Sequence, residues 1–276
     1  MEAFSDGDYA LILGVSSGFG AATARELAGR GCNIIGVHLD RAAGMPGVEA
    51  LRADIENMGS TAHFFNVNAA DTERRREVIE AITDLRDGVT GRFRLRLLLH
   101  SLAFGTLRPL VAREGATLSE PQLAMTLNVM ASSLLFWTQD LVAGDLIGRG
   151  GRIVAMTSSG SRRVLPHYGA VSAAKAALES FCRQLAFELG DEGITVNAIE
   201  AGVTDTPALR KIPGQEHLLS DALSRNPSGR LTTPRDVARI IGMICSSSAD
   251  WINGTTIRAD GGEGIVELDW RDRHEG

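Results

Sequence analysis

Lysine and tyrosine are almost missing from this chain. Among its 28 basic residues only Lys175 and Lys211 are lysines, and Tyr9 and Tyr168 are its 2 tyrosines. Cysteine is scarce too. Cys32, Cys182 and Cys245 are odd in number and far apart, and they form no CxxC or zinc pattern. That excludes a disulfide framework and suits a reducing compartment, so a cytoplasmic location is expected. No uninterrupted apolar run approaches the roughly 20 residues of a transmembrane helix, so no membrane partner is expected. The opening Met1-Glu2-Ala3-Phe4-Ser5-Asp6 is acidic and lacks the basic start of a signal peptide. An excess of basic charge is also lacking. The formal net charge of −6 argues against a nucleic-acid partner. His63, His167, His217 and His274 show no ligand spacing, so no metal is expected.

What the chain does have is a steady rhythm. Its 276 residues, 44% hydrophobic and 22% charged, suffice for one large domain. Apolar runs predict strands over 9–15, 32–39, 62–67, 95–99, 152–156, 194–199 and 255–259. Helix-period segments predict helices over 21–29, 48–58, 72–85, 122–142, 168–189 and 234–246. Strands alternating with helices imply an α/β fold: a single doubly wound Rossmann-type domain over 1–276 with a seven-stranded parallel sheet. The segment 204–231, with Pro207, Pro213, Gly214, Pro227 and Gly229, breaks the rhythm and is expected to form a lid beside a site. A charged surface tail is expected from about 267.

Between the first strand and the first helix stands Gly14-Val15-Ser16-Ser17-Gly18-Phe19-Gly20. Glycines there permit a tight turn and a close approach of the backbone to a pyrophosphate, and the helix aims its amino end at the phosphates. The spacing G-x3-G-x-G near the amino end resembles that of the short-chain dehydrogenase/reductases. The resemblance implies a nicotinamide cofactor contacted by Gly14, Ser16, Ser17, Gly18, Phe19 and Gly20. Leu13 stands where the superfamily usually has threonine. At the end of the second strand, a carboxylate suits the ribose of NAD and an arginine the 2′-phosphate of NADP. Here His38, Asp40 and Arg41 follow in turn. Arg41 and His38 are candidate phosphate contacts for NADPH, and Asp40 keeps NADH open. Asn68 sits where the superfamily places an adenine contact.

Tyr168 and Lys175 stand seven residues apart, about two helical turns, so both are expected on one helix face. With so few of either residue, such a pairing arises by chance at one chosen spacing only about once in a hundred chains of this composition. A hydride acceptor that develops charge on oxygen needs a positioned acid, and an ammonium beside a phenol favours its ionised form. Four residues before Lys175 is Val171, which has no proton to give. The motif Tyr-x6-Lys resembles the enoyl-acyl-carrier-protein reductases, a divergent branch of the superfamily, and most of all the NADPH-dependent Bacillus-type subgroup. His100-Ser101-Leu102-Ala103-Phe104 and Glu200-Ala201-Gly202-Val203-Thr204-Asp205-Thr206 are similar to stretches of that branch.

The resemblance implies catalytic Tyr168 and Lys175, with Ser158 and Asn128 as auxiliaries. It implies cofactor contacts from His100, Ser101, Lys175, Gly202, Val203 and Thr206, and an acyl pocket lined by Phe104, Tyr168 and Leu209. The expected activity is NADPH-dependent reduction of the C=C of an α,β-unsaturated acyl thioester on CoA or a carrier protein, in fatty-acid or specialised acyl metabolism. A carbonyl or alcohol oxidoreductase and a non-catalytic NADP(H)-binding protein stay open as alternatives. A homo-oligomer, a tetramer by analogy, is expected. Arg162, Arg163, Arg210 and Lys211 are either scattered surface charge or an attraction for an acidic carrier.

Overall fold

The computed structural model describes residues 4–267. The expected tail therefore lies, apart from Glu267, outside the described residues. The strands are β1 (Asp8–Leu13), β2 (Asn33–His38), β3 (Ala62–Asn66), β4 (Arg94–His100), β5 (Arg152–Thr157), β6 (Thr195–Ala201) and β7 (Thr256–Ala259). They form one sheet in the order β3-β2-β1-β4-β5-β6-β7, with every pairing parallel. The order reverses between β1 and β4, and the crevice at the carboxyl ends of those strands is where such sheets bind ligands.

Side chains alternate across the sheet and fill two cores. Leu11, Leu13 and Leu98 face one, with Trp137 and Leu178. Ala10, Ile12, Leu97 and Leu99 face the other, with Leu27 and Ile241. Strands covered on both faces have no polar side, which explains the unbroken Leu97-Leu98-Leu99 of β4. The helices covering them are α1 (Gly18–Ala28), α2 (Met45–Asn57), α3 (Thr72–Gly88), α4 (Glu120–Leu127), α5 (Ser133–Ala143), α6 (Gly169–Glu188), α7 (Gln215–Arg225) and α8 (Pro234–Ile244). All three cysteines are free and buried. No helix among the described residues is long and apolar enough to cross a membrane.

Two features depart from the expected elements. The helix over 122–142 is divided by a π-helical segment, Asn128–Ser132. Hydroxyls at Thr126 and Ser133 return to Gln122 O at 2.8 Å and Val129 O at 2.9 Å, the back-bonding that bends helices. Tyr168 is the cap of α6 and not part of it, because His167 before it has φ 62° and turns the chain into the helix only at Gly169. The segment 101–119 has neither helix nor strand, and Leu110 from it packs 2.7 Å from where a Cβ at Gly169 would stand. The expected lid folds as a short turn at Leu209–Lys211 and then α7.

Candidate active site

The glycine loop closes against the end of β4. Gly14 has φ 88°, and a Cβ there would stand 2.5 Å from Ser101 O. The loop is tied down by Gly14 N–H to Val37 O at 2.8 Å and Ser101 N–H to Leu13 O at 2.9 Å. A Cβ at Gly20 would strike Gly14 O, so two glycines are required for the turn itself. Gly18, at φ 54°, opens α1 beneath the Thr206 methyl, 3.6 Å from a Cβ placed on it. Ser17 caps the helix through its backbone alone, and the first turn has no acidic residue. Free amides with no competing carboxylate are what a pyrophosphate requires, so this cradle fits the phosphates of a dinucleotide. Ser16, Ser17 and Phe19 all lie on it.

At the tip of β2 the structure separates the two phosphate candidates. His38 is buried, and its Nδ1 stands 3.0 Å from Asp40 Oδ2. Its ring is therefore not available to a phosphate, which corrects the expectation for His38. Asp40 is fixed by Asn66, whose amide accepts from Asp40 N–H at 3.0 Å and donates to Asp40 O at 2.9 Å. Asn66 went unnoticed in the sequence because it looks like one more strand residue. Arg41 is exposed. Asn68 is exposed too, with Oδ1 accepting from Ala70 N–H at 3.0 Å.

The catalytic candidates meet at the carboxyl ends of β5 and β4. Tyr168 is 8% exposed, and its ring lies flat enough on Gly160 that a Cβ there would stand 2.5 Å from Cε1. Burial raises the phenol pKa, and a hydrogen bond with the Ser158 side chain partly offsets this. Ser158 Oγ is itself held by Gly160 N–H at 3.1 Å. Lys175 is fully buried and donates to Met156 O at 2.7 Å and Leu102 O at 3.5 Å. Burial pushes its pKa down to about 8, with Cys182 and Glu179 opposing. The influence that offsets burial of the phenol is the Ser158 hydrogen bond.

Two expected contacts point elsewhere. The Asn128 side chain is exposed and donates to Ala70 O at 3.1 Å. It is the first residue of the π segment. His100 is a core residue, with Nε2 2.8 Å from Ser133 Oγ. Burial and the nearby Lys175 charge push its pKa down to about 3, so it is neutral and cannot touch a cofactor with its ring.

On the opposite lip, Gly202 is pressed against Thr232 and Asp260. Val203, an expected cofactor contact, donates its N–H to Glu263 Oε2 at 3.0 Å. Glu263 is buried and its pKa is raised by desolvation. Thr206 is buried and its Oγ1 accepts from Leu209 N–H at 3.2 Å, which places Leu209 over the loop. Phe104 is 61% exposed at the mouth. Arg162 is engaged by the buried Glu200 at 2.6 Å, Arg163 donates to Gly264 O at 3.2 Å, and Arg210 pairs with Asp205 at 2.7 Å. These arginines serve internal contacts first.

The family model described as enoyl-(acyl carrier protein) reductase matches residues 14–263. An uncharacterized oxidoreductase of Bacillus subtilis is 30% identical over 92% of this chain and 95% of its own. A 1-cyclohexenylcarbonyl-CoA reductase of Streptomyces collinus is 30% identical over 93% of this chain and 86% of its own. The relatives are diverse reductases, with a probable tetrahydroxynaphthalene reductase of Zymoseptoria tritici among them at 27% identity over 93% of this chain and 94% of its own. The crystal structure of the NADH-dependent enoyl-acyl-carrier-protein reductase of Aquifex aeolicus superposes with a TM-score of 0.81 at 25% identity, covering 95% of this chain and 98% of that one. With its glycine cradle, its buried Tyr168–Ser158 pair and Lys175 on the same sheet edge, the chain is an oxidoreductase of the short-chain dehydrogenase/reductase superfamily and belongs to its enoyl-(acyl carrier protein) reductase family.

Proposed function

We propose that this chain reduces the C=C bond of an α,β-unsaturated acyl thioester, on CoA or a carrier protein, with NADPH. The observation that supports this most is the position of Tyr168 at the cap of α6, two turns before Lys175, with buried Val171 in between. A conjugated enoyl thioester accepts hydride at its β-carbon and develops charge on an oxygen three bonds away. An acid moved one turn, about 5.4 Å along the axis, suits that displaced oxygen.

The nicotinamide supplies the hydride when bound. Tyr168 then donates a hydrogen bond to the enolate oxygen while the α-carbon takes up a proton from water, and Ser158 shares that hydrogen bond. Lys175, held by Met156 O and Leu102 O, has one N–H left to donate to the ribose. Arg41 receives the 2′-phosphate. Asp40, the competing carboxylate, has one oxygen on His38 and the other 2.7 Å from a Cβ placed on Gly44. Its contact with His38 competes with a hydrogen bond to a ribose, which supports NADPH over NADH. The acyl chain runs along Phe104, Tyr168 and Leu209. A homotetramer, a cytoplasmic location and a lid at 204–231 belong to the same proposal.

A second reading, reduction of a carbonyl, rests on Ser158, whose hydroxyl beside Tyr168 is placed to polarise a carbonyl oxygen directly. The deciding experiment follows NADPH and NADH oxidation separately with crotonyl-CoA, a longer enoyl thioester and a panel of ketones. Turnover of enoyl thioesters with NADPH, lost at least a hundredfold in Tyr168→Phe, is the expected result. Turnover of ketones alone would replace this reading with the second. Tight NADPH binding with no turnover of either would reduce the chain to a nucleotide binder.

A further inference from the structure

The strand β5 ends in Met156 and Thr157, and these two neighbours hold two residues of α6 that stand one turn apart. Met156 O accepts from Lys175 Nζ at 2.7 Å. The Thr157 hydroxyl donates to Glu179 Oε1 at 2.6 Å. Lys175 and Glu179 are four residues apart, the spacing at which helix side chains share one face. Thr157 is buried, so its bond to the carboxylate is sheltered from water. The tip of one strand thus fixes an ammonium and a carboxylate on one helix face. The reduction uses the first and leaves the second without a role.

The surroundings of Lys175 show what that carboxylate does. Burial works against the ammonium and pushes its pKa down to about 8, while Cys182 and Glu179 act in the opposite direction. The Cys182 thiol is itself pushed up to about 12 by burial, so it carries no charge near neutral pH. His100, from β4, is neutral, because burial and Lys175 push its pKa down to about 3. Tyr168 is protonated, its pKa raised by burial. On β6, Glu200 stands beside Thr157 in the sheet register, and it is engaged by Arg162 at 2.6 Å and by Arg258 at 3.5 Å. Glu120 of α4 is exposed in the first turn of its helix. That leaves Glu179 as the negative charge that favours the protonated form of Lys175.

We infer that Glu179, tethered by Thr157, is a positioning residue that keeps Lys175 a cation and so preserves its hold on the nucleotide. The inference rests on the proposed role of Lys175 at the ribose, whichever bond the active site reduces. Glutamine at position 179 removes the charge and keeps an oxygen for the Thr157 hydroxyl to reach. Valine at position 157 keeps the charge and removes its tether.

The scarcity of lysine makes the test direct. The full chain labelled with [ε-13C]lysine gives one signal for Lys175 and one for Lys211, and Lys211→Arg identifies which is which. The Lys175 signal is followed from pH 6 to 10 in the wild type, in Glu179→Gln and in Thr157→Val. Its midpoint is expected to fall by about one pH unit in Glu179→Gln and by about half as much in Thr157→Val. Activity is read beside it, on whichever thioester or carbonyl the wild type turns over. For Glu179→Gln, kcat/KM is expected to match the wild type at pH 6 and to be about tenfold lower at pH 9. A purely structural role would lower it equally at both. That equal loss, or an unshifted midpoint in Glu179→Gln, would overturn the inference. Thr157→Val carries the test if Glu179→Gln fails to fold, and an unshifted midpoint there would overturn it as well. The resonance needs no turnover, so an inactive wild type would sink the proposed reaction and leave this inference to the titration.

Discussion

Lys175 loses its proton more readily than any free lysine because its ammonium is surrounded by protein. Burial pushes it down to about 8, against roughly 10.4 for an unfolded lysine. Between those values the unfolded chain holds more protons than the folded one, so this group makes stability rise with pH across that window. The charge leaves the site over the same range. Tyr168, raised by burial, stays protonated there, so the falling limb belongs to the lysine. We expect kcat/KM to drop about tenfold per pH unit above about 8, with no matching loss of Tm. Parallel pH–rate and melting curves from pH 7 to 10 check this. Other residues were legible to different degrees. Tyr168 and Lys175 stood out in the sequence because both types are rare in it. Glu263 and Asn66 did not, because what they do depends on backbone groups 60 and 26 residues away, and no local pattern records that. His38 and His100 were misread for the complementary reason: position in a family pattern is visible in a sequence, whereas burial of a ring is not.

At the scale of elements, the junction from β5 to α6 sets the acid. Ser158, Gly160 and Tyr168 pack face to face there, and Gly160 is the residue with no room to spare. In Gly160→Ala the new methyl must move the Tyr168 ring, while the strand and helix on either side are untouched. The expected result is a fall of at least tenfold in kcat/KM with a loss of stability no larger than about 1–3 kcal/mol, typical of a small overpacking. Steady-state kinetics beside urea denaturation separates the two effects. All seven strands were legible because strands buried on both faces are continuous apolar runs. Helix interiors were legible from their period. The π interruption at Asn128–Ser132 was not, since Thr126 and Ser133 bend the helix through hydroxyl bonds that hydrophobic spacing does not register. The loop 101–119 has no period to read and carries neither helix nor strand. The cap at Tyr168 depended on a positive φ at His167, a choice that histidine seldom makes.

For the whole molecule, one sheet joins two cores, and the central strand contributes to both. Leu98 enters one and Leu99 the other. Leu98→Ala and Leu99→Ala should each cost about 2–5 kcal/mol as buried leucine truncations. Because the strand is shared, both should lower one common transition, with tryptophan fluorescence and far-ultraviolet dichroism coinciding in each. Two separated transitions in either variant would mean that the faces unfold independently. The architecture also governs the sulfur chemistry of the chain. Its three thiols lie inside these cores, and burial pushes Cys182 and Cys245 up to about 12 and Cys32 well above its ordinary value. Alkylating and oxidising reagents act on the thiolate, which the folded chain almost never presents. The folded protein is therefore chemically silent to them, and labelled sulfur reports molecules that have opened, three labels to each fully opened chain.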